Sequence, residues 1–178
     1  KENLWQREQG YLSMNNYYLI VSRLVPQKRI NIAVEAFNEL GLPLKIIGIG
    51  TEFKSLKSLS KTNIEFLGYL TDREVARYYE SCRSVVICGE EDFNIVAVEA
   101  QSYGKPVIAY RAGGVTETVI ENRTGYFFNN QTPESLIDAV KKFKSLNPSD
   151  CRENAKKYSK ERFEKEFLAY VRNLKTNY

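Results

Sequence analysis

The sequence predicts an α/β fold in which a parallel sheet carries helices on both faces, and three observations predict it. Short apolar runs take turns with stretches whose apolar residues recur at helical spacing. The runs are apolar throughout, as strands buried on both faces are. Each run is followed by a helical stretch, the crossover that parallel neighbours require. At 178 residues, 43% hydrophobic and 27% charged, the chain has the size and composition of one globular domain with a single sizeable core.

YYLIV, Tyr17 to Val21, reads as the first strand; Ile30, Ala33, Val34, Phe37 and Leu40 then follow at helical spacing until Gly41 stops the helix. PLKIIG gives the second strand, before a helix through Phe53, Leu56 and Leu59. NIEFLG gives the third, and Thr71 or Asp72 caps a helix through Val75, Tyr78, Tyr79 and Cys82. SVVIC leads into a helix over 94 to 103 that Gly104 ends before the strand PVIAY. VTETVIE and GYFF add a short helix and a short strand. Two closing helices are expected, near 133 to 146 (Leu136, Val140, Phe143) and near 160 to 175. In the second, Phe163, Phe167, Tyr170, Val171 and Leu174 make a broad stripe that must bury against the core or a docking surface. The architecture is Rossmann-like.

Composition excludes several classes of function. No apolar run approaches a membrane span, and the opening KENLWQREQGYLSMNN is neither a signal peptide nor a Met start. The chain has three cysteines, without a CxxC pair, and no histidine, which argues for a reducing compartment and against structural zinc or a His-based general base. Residues 141 to 178 carry 11 Lys/Arg against 5 Asp/Glu, so the net charge of +4 is a C-terminal feature. It reads as a solvated helical face, or as attraction to an anionic membrane surface. With acids interleaved and no nucleic-acid module present, nucleic-acid binding is not expected.

Open parallel sheets bind ligands beyond the carboxyl ends of their strands. The loops there are SRLVPQKR, GIGTE, GYLTD, GEEDFN and RAGG, and every candidate motif falls on that one edge. Glu91 and Glu99 flank a helix start capped by Asn94, whose free amides near Ile95 and Val96 suit a phosphate. Two acceptor-only carboxylates beside such amides fit a ligand offering hydroxyls next to phosphate, as a nucleotide sugar does. The bland reading makes Glu91 a surface acid and Glu99 a buried acid paired with a nearby Arg or Lys. Arg23 and Lys28, after the first strand, can grip a diphosphate. Gly48 and Gly50 mark either a close backbone approach or a tight turn, Phe53 standing where a dinucleotide fingerprint needs its third glycine. Gly113 and Gly114 precede a helix and could offer amides to phosphate. The cysteines and Tyr78/Tyr79 read as packing. No DxD or HxxxH pattern suggests a metal.

Taken together, VSRLVPQKRINIAVEAF, LKIIGIGTEFKSL, IEFLGYL and EDFNIVAVEAQSYGKPVIAYRAGGVTETVIENRTGYFF resemble, in order, the conserved segments of the retaining glycosyltransferases of family 4, which have the two-domain GT-B fold. The resemblance covers Tyr17 to about Phe128 and extends loosely to the C-terminal helices. It implies that the chain is the donor-binding half of such an enzyme: residues 1 to 15 would be an interdomain connection and 16 to 178 the donor domain, the acceptor domain being absent. Arg23 and Lys28 would bind the donor diphosphate and stabilise it as it leaves. Glu91, with the backbone of Phe93, Asn94 and Ile95, would hold the sugar hydroxyls, and Glu99 the ribose diol. Backbone at Leu67, Gly68 and Tyr69 would meet the base. Transfer would retain configuration without a metal or other cofactor.

The PQKR and EEDF segments look most like enzymes that transfer mannose from GDP-mannose to a polysaccharide or lipid-linked glycan, in the cytoplasm or peripherally at the inner membrane face. UDP-glucose or another donor, or a non-catalytic nucleotide-sugar-binding module, is the alternative. A nucleotide-sugar epimerase of the same fold would depend on acid and His groups not evident here. Three positions depart from the family pattern: Ser22, Arg29 and Asn94 each replace a glycine.

Overall fold

A computed structural model describes residues 17–176, with side chains to residue 172; the expected connection over 1 to 15 and the side chain of Leu174 lie outside the described residues. Six strands, β1 (Tyr18–Val21), β2 (Leu44–Ile47), β3 (Ile64–Gly68), β4 (Ser84–Ile87), β5 (Val107–Tyr110) and β6 (Gly125–Phe128), form one sheet in the order β3-β2-β1-β4-β5-β6. Every pairing is parallel. The winding therefore reverses between β1 and β4, the point beside which open sheets of this kind bind ligands at the strands' carboxyl ends.

Among the described residues, eight helices pack around the sheet or extend from it: α1 (Ile30–Leu40), α2 (Phe53–Leu59), α3 (Asp72–Ser81), α4 (Ile95–Ser102), α5 (Val115–Thr118), α6 (Pro133–Lys142), α7 (Pro148–Lys156) and α8 (Lys160–Thr176). Successive strand residues point to opposite faces, which divides the core in two. Tyr18, Ile20, Ile46 and Ile108 pack with Phe37 of α1 and Leu136 of α6. Leu19, Val85, Val107 and Ala109 pack with Tyr79 of α3 and Ala97 and Ala100 of α4. The expected α/β sheet covered on both faces is thus present.

Three details differ from expectation. A single 3₁₀ turn, Pro26–Lys28, follows β1. The helix expected over 133 to 146 ends at Lys142, and Phe143, 1% exposed, caps it in extended backbone. A further helix, α7, precedes α8: the Asn147 side chain accepts from the Ser149 amide and Pro148 takes the first turn, where its missing N–H costs nothing. α7 docks on α4 through buried polar groups. Asn154 Nδ2 donates to Gln101 Oε1 at 2.7 Å and to the Thr118 carbonyl at 2.8 Å, and Gln101 Nε2 donates to the same carbonyl at 2.8 Å.

The stripe on α8 finds no cover among the described residues: Phe163, Phe167, Leu168 and Tyr170 are each exposed by half or more. No helix among the described residues is long and apolar enough to cross a membrane.

Candidate functional site

A cleft of ≈580 Å³ lies at the carboxyl ends of β1 and β2, between α3 and α4. Its walls come from Val21 to Arg23 after β1, Ile47 to Ile49 after β2, Tyr69 and Leu70 after β3, Val75 and Tyr79 on α3, and Val96, Glu99 and Tyr103 on or beside α4. Arg23 is exposed there and forms no ion pair among the described residues. Glu99 also faces the cleft and is exposed, so its charge does not interrupt a buried apolar surface. The partner expected for a buried Glu99, an Arg or Lys, is not what it has: the Tyr79 hydroxyl donates to Glu99 Oε2 at 3.1 Å.

The cation–carboxylate pair falls on the other glutamate. Lys28 Nζ lies 2.6 Å from Glu91 Oε1, the side chains 16% and 33% exposed. Asn94 Nδ2 makes a longer contact of 3.4 Å to the same oxygen. Lys28, Glu91, Asn94 and Val96 line a cavity of ≈20 Å³, about the room of one water molecule. This niche adjoins the cleft, sharing Val21, Ser22 and Val96 with it. Of the expected site residues, Arg23, Gly48, Tyr69 and Glu99 line the cleft, Lys28, Glu91 and Asn94 line the niche, and Val96 lines both.

Asn94 caps α4 from the left-handed region, at φ 63° and ψ 73°, and its Oδ1 accepts from the Ala97 amide at 3.3 Å. Asn tolerates that conformation better than other residues with a side chain, which accounts for its standing where the resembling family has glycine. Arg29, at φ 52° and ψ 34°, occupies the second such position. The amides of Ile95 and Val96 have no acceptor among the described residues, as the first turn of a helix leaves them.

The glycines act as spacers. A Cβ on Gly48 would lie 1.8 Å from the Ser22 carbonyl oxygen, and one on Gly50 2.2 Å from that of Leu24, so GIG is a close approach of the β2 loop to the β1 loop. Gly89, which the sequence did not single out, lets the chain after β4 pass the Pro26–Lys28 turn: its Cβ would come 2.7 Å from the Gln27 oxygen. Gly113 and Gly114 back onto the loop carrying Glu91. The amide expected to serve a phosphate from Gly114 is taken, donating to the Glu91 carbonyl at 2.8 Å.

Gly50, Gly113, Gly114, Leu67, Gly68, Phe93 and Ile95 line neither pocket. Leu67 packs into the apolar cluster under α3, and the Gly68 carbonyl accepts from the Gly48 amide at 2.8 Å. Phe93 is about half exposed, its ring edge-on to Tyr158 at 5.7 Å, and Ile95 is exposed. Tyr79, read from the sequence as packing, is buried as expected but also touches the candidate ligand Glu99, and nothing in its helical spacing signals that. The cysteines are buried and free, and burial pushes the Cys82 and Cys88 thiols up to about 12.

Residues 2–162 match the family model described as Glycosyl transferases group 1. An uncharacterized glycosyltransferase of Methanocaldococcus jannaschii is 33% identical over 154 residues, 82% of this chain and 43% of that protein. A GDP-mannose-dependent alpha-(1-6)-phosphatidylinositol monomannoside mannosyltransferase of Mycobacterium tuberculosis is 30% identical over 138 residues, 67% of this chain and 36% of that protein. The solved sucrose-phosphate synthase of Thermosynechococcus elongatus superposes with a TM-score of 0.83 at 22% identity, over 98% of this chain and 49% of that one, and shares the fold. The chain spans less than half the length of each of these relatives.

Proposed function

The chain belongs to the group 1 glycosyl transferases, and from that membership we propose that it is the donor-binding part of a retaining, metal-independent enzyme that transfers mannose from GDP-mannose to a growing polysaccharide or lipid-linked glycan. One observation carries the reading: a cleft of nucleotide size at the carboxyl ends of β1 and β2, next to the reversal of strand order, with Arg23 at its β1 wall and Glu99 on α4, neither in an ion pair among the described residues. Arg23 supplies charge to the diphosphate, and Lys28 and the open amides of Ile95 and Val96 supply more as the nucleotide leaves. Glu91 meets the sugar hydroxyls and Glu99 the ribose. Tyr69, 74% exposed at the cleft mouth, offers a ring face to the base.

Guanine and mannose are the choice that the PQKR and EEDF segments and the mannosyltransferase relative favour. The acceptor would come from a further domain, with the bare stripe of α8 packing on it and the basic C-terminal segment facing a membrane surface at the cytoplasmic side.

Calorimetry on the full-length protein with GDP-mannose, GDP, UDP-glucose and UDP tests the reading. Binding of the guanine pair in preference to the uracil pair supports it, preference for the uracil pair replaces the donor, and silence from all four removes the donor site. Arg23→Ala is expected to weaken GDP by about tenfold or more, the scale of one charge-assisted bond of roughly 1.5–3 kcal/mol; unchanged affinity would take the diphosphate away from Arg23.

A further inference from the structure

Glu99 is an exposed carboxylate on a helix whose neighbouring turns offer it no cation, yet one of its oxygens is held. The holder is buried. Tyr79, 2% exposed on α3, reaches across to α4, and its ring stacks on Tyr103 with centroids 5.3 Å apart and planes 15° from parallel. Tyr103 caps the end of α4, so stack and hydrogen bond grip the same helix one turn apart. Such a phenol has two soft torsions, both fixed by packing, and its hydroxyl is therefore aimed.

We propose that Tyr79 is a positioning residue for the nucleotide: by donating to Glu99 Oε2 it locks the carboxylate so that Oε1 meets the ribose hydroxyls. This rests on the reading of Glu99 as the ribose ligand. A free glutamate on a helix surface samples several rotamers, and a ligand that needs one of them must order it on binding. Tyr79 does that ordering before the ligand arrives. Burial first, and then the adjacent Glu99 carboxylate, push the phenol well above its usual value, so that it stays a donor wherever the protein is folded.

Tyr79→Phe keeps the ring and the stack and removes only the donor. Binding of GDP and of 2′,3′-dideoxy-GDP to the full-length protein separates positioning from a general tie between α3 and α4, with UDP and its dideoxy analogue in parallel for the other base. Tyr79→Phe is expected to weaken the ribose-bearing nucleotide about three- to tenfold, the scale of ordering one rotamer-rich side chain, while the dideoxy nucleotide binds as to wild type. In a Glu99→Ala background the same change is expected to do nothing further. Equal loss for both nucleotides, no loss for either, or a loss that survives in Glu99→Ala would overturn the proposal. If Glu99→Ala itself weakens both nucleotides alike, the ribose reading falls and the proposal with it. If Glu99→Ala discriminates and Tyr79→Phe does not, only the proposal falls.

Discussion

Gly114 is where a single methyl should separate sugar recognition from nucleotide recognition. Its φ of −63° and ψ of −16° are open to alanine, so the cost of Gly114→Ala is steric and not conformational. The new Cβ would sit 2.3 Å from the Asp92 carbonyl oxygen, 2.5 Å from Phe93 Cα and 2.7 Å from the Phe93 oxygen, where ordinary contact begins at 3.4 Å. All three are backbone atoms, so the loop from Glu91 to Asn94 must retreat by about 1 Å, and the 2.8 Å bond from the Gly114 amide to the Glu91 carbonyl must stretch or break. Overpacking of this kind costs roughly 1–3 kcal/mol of stability. On the proposed function, the retreat would carry Glu91 away from the donor sugar while leaving Arg23 and Glu99, which stand on other elements, in place.

Calorimetry with GDP-mannose and GDP reads the separation. GDP-mannose is expected to lose about tenfold or more, one charge-assisted bond of roughly 1.5–3 kcal/mol, and GDP little. Equal affinity losses, or a variant that binds both and melts like wild type, would refute the assignment of this loop to the sugar and of Gly114 to its support.

Asn154→Ala leaves Gln101 Oε1 without its 2.7 Å donor in a buried site and is expected to cost about 1–3 kcal/mol, read as a lower denaturant midpoint at unchanged slope. At the start of α3, the Thr71 hydroxyl first and its backbone N–H second hold the Glu74 carboxyl below its ordinary 4.5. A depressed carboxyl contributes stability that is full above the unfolded value and is lost as pH falls through the folded one. The stability difference between wild type and Glu74→Gln should accordingly shrink below pH 4.5 and vanish at lower pH; a difference that persists there would deny Glu74 its capping role.

The strands were legible because both sheet faces are covered: runs such as Tyr17 to Val21 and Ser84 to Cys88 are apolar without alternation, a pattern that buried parallel strands impose. The loops that hold the site were legible as a set, since the fold puts every β-to-α connection on one edge. What each loop residue touches was not. The bland reading would pair Glu99 with a cation, but Lys28 is carried to Glu91 by the Pro26–Lys28 turn, whose passage beneath Gly89 is a tertiary event. Tyr79 has the spacing of a core residue and is one; its second contact depends on how far α3 stands from α4. α7 carried a readable signal, Asn147 and Pro148 at a helix start, lost among polar residues whose burial comes only from docking on Gln101.

The two glutamates, eight residues apart, end in opposite electrostatic states, and that difference organises the site. Glu91 is paired with Lys28 at 2.6 Å, so a phosphate reaching the niche would meet an ammonium whose charge is already partly offset. Glu99 is held by a neutral donor and faces the cleft with no ion pair among the described residues. On the proposed function, a ligand with phosphate at one end and hydroxyls at the other would be oriented: its anionic centre would go to Arg23, which forms no ion pair among the described residues, and would be repelled from the α4 wall, where only a group that donates hydrogen bonds is welcome. A neutral sugar could lie either way along such a cleft, and a nucleoside diphosphate only one.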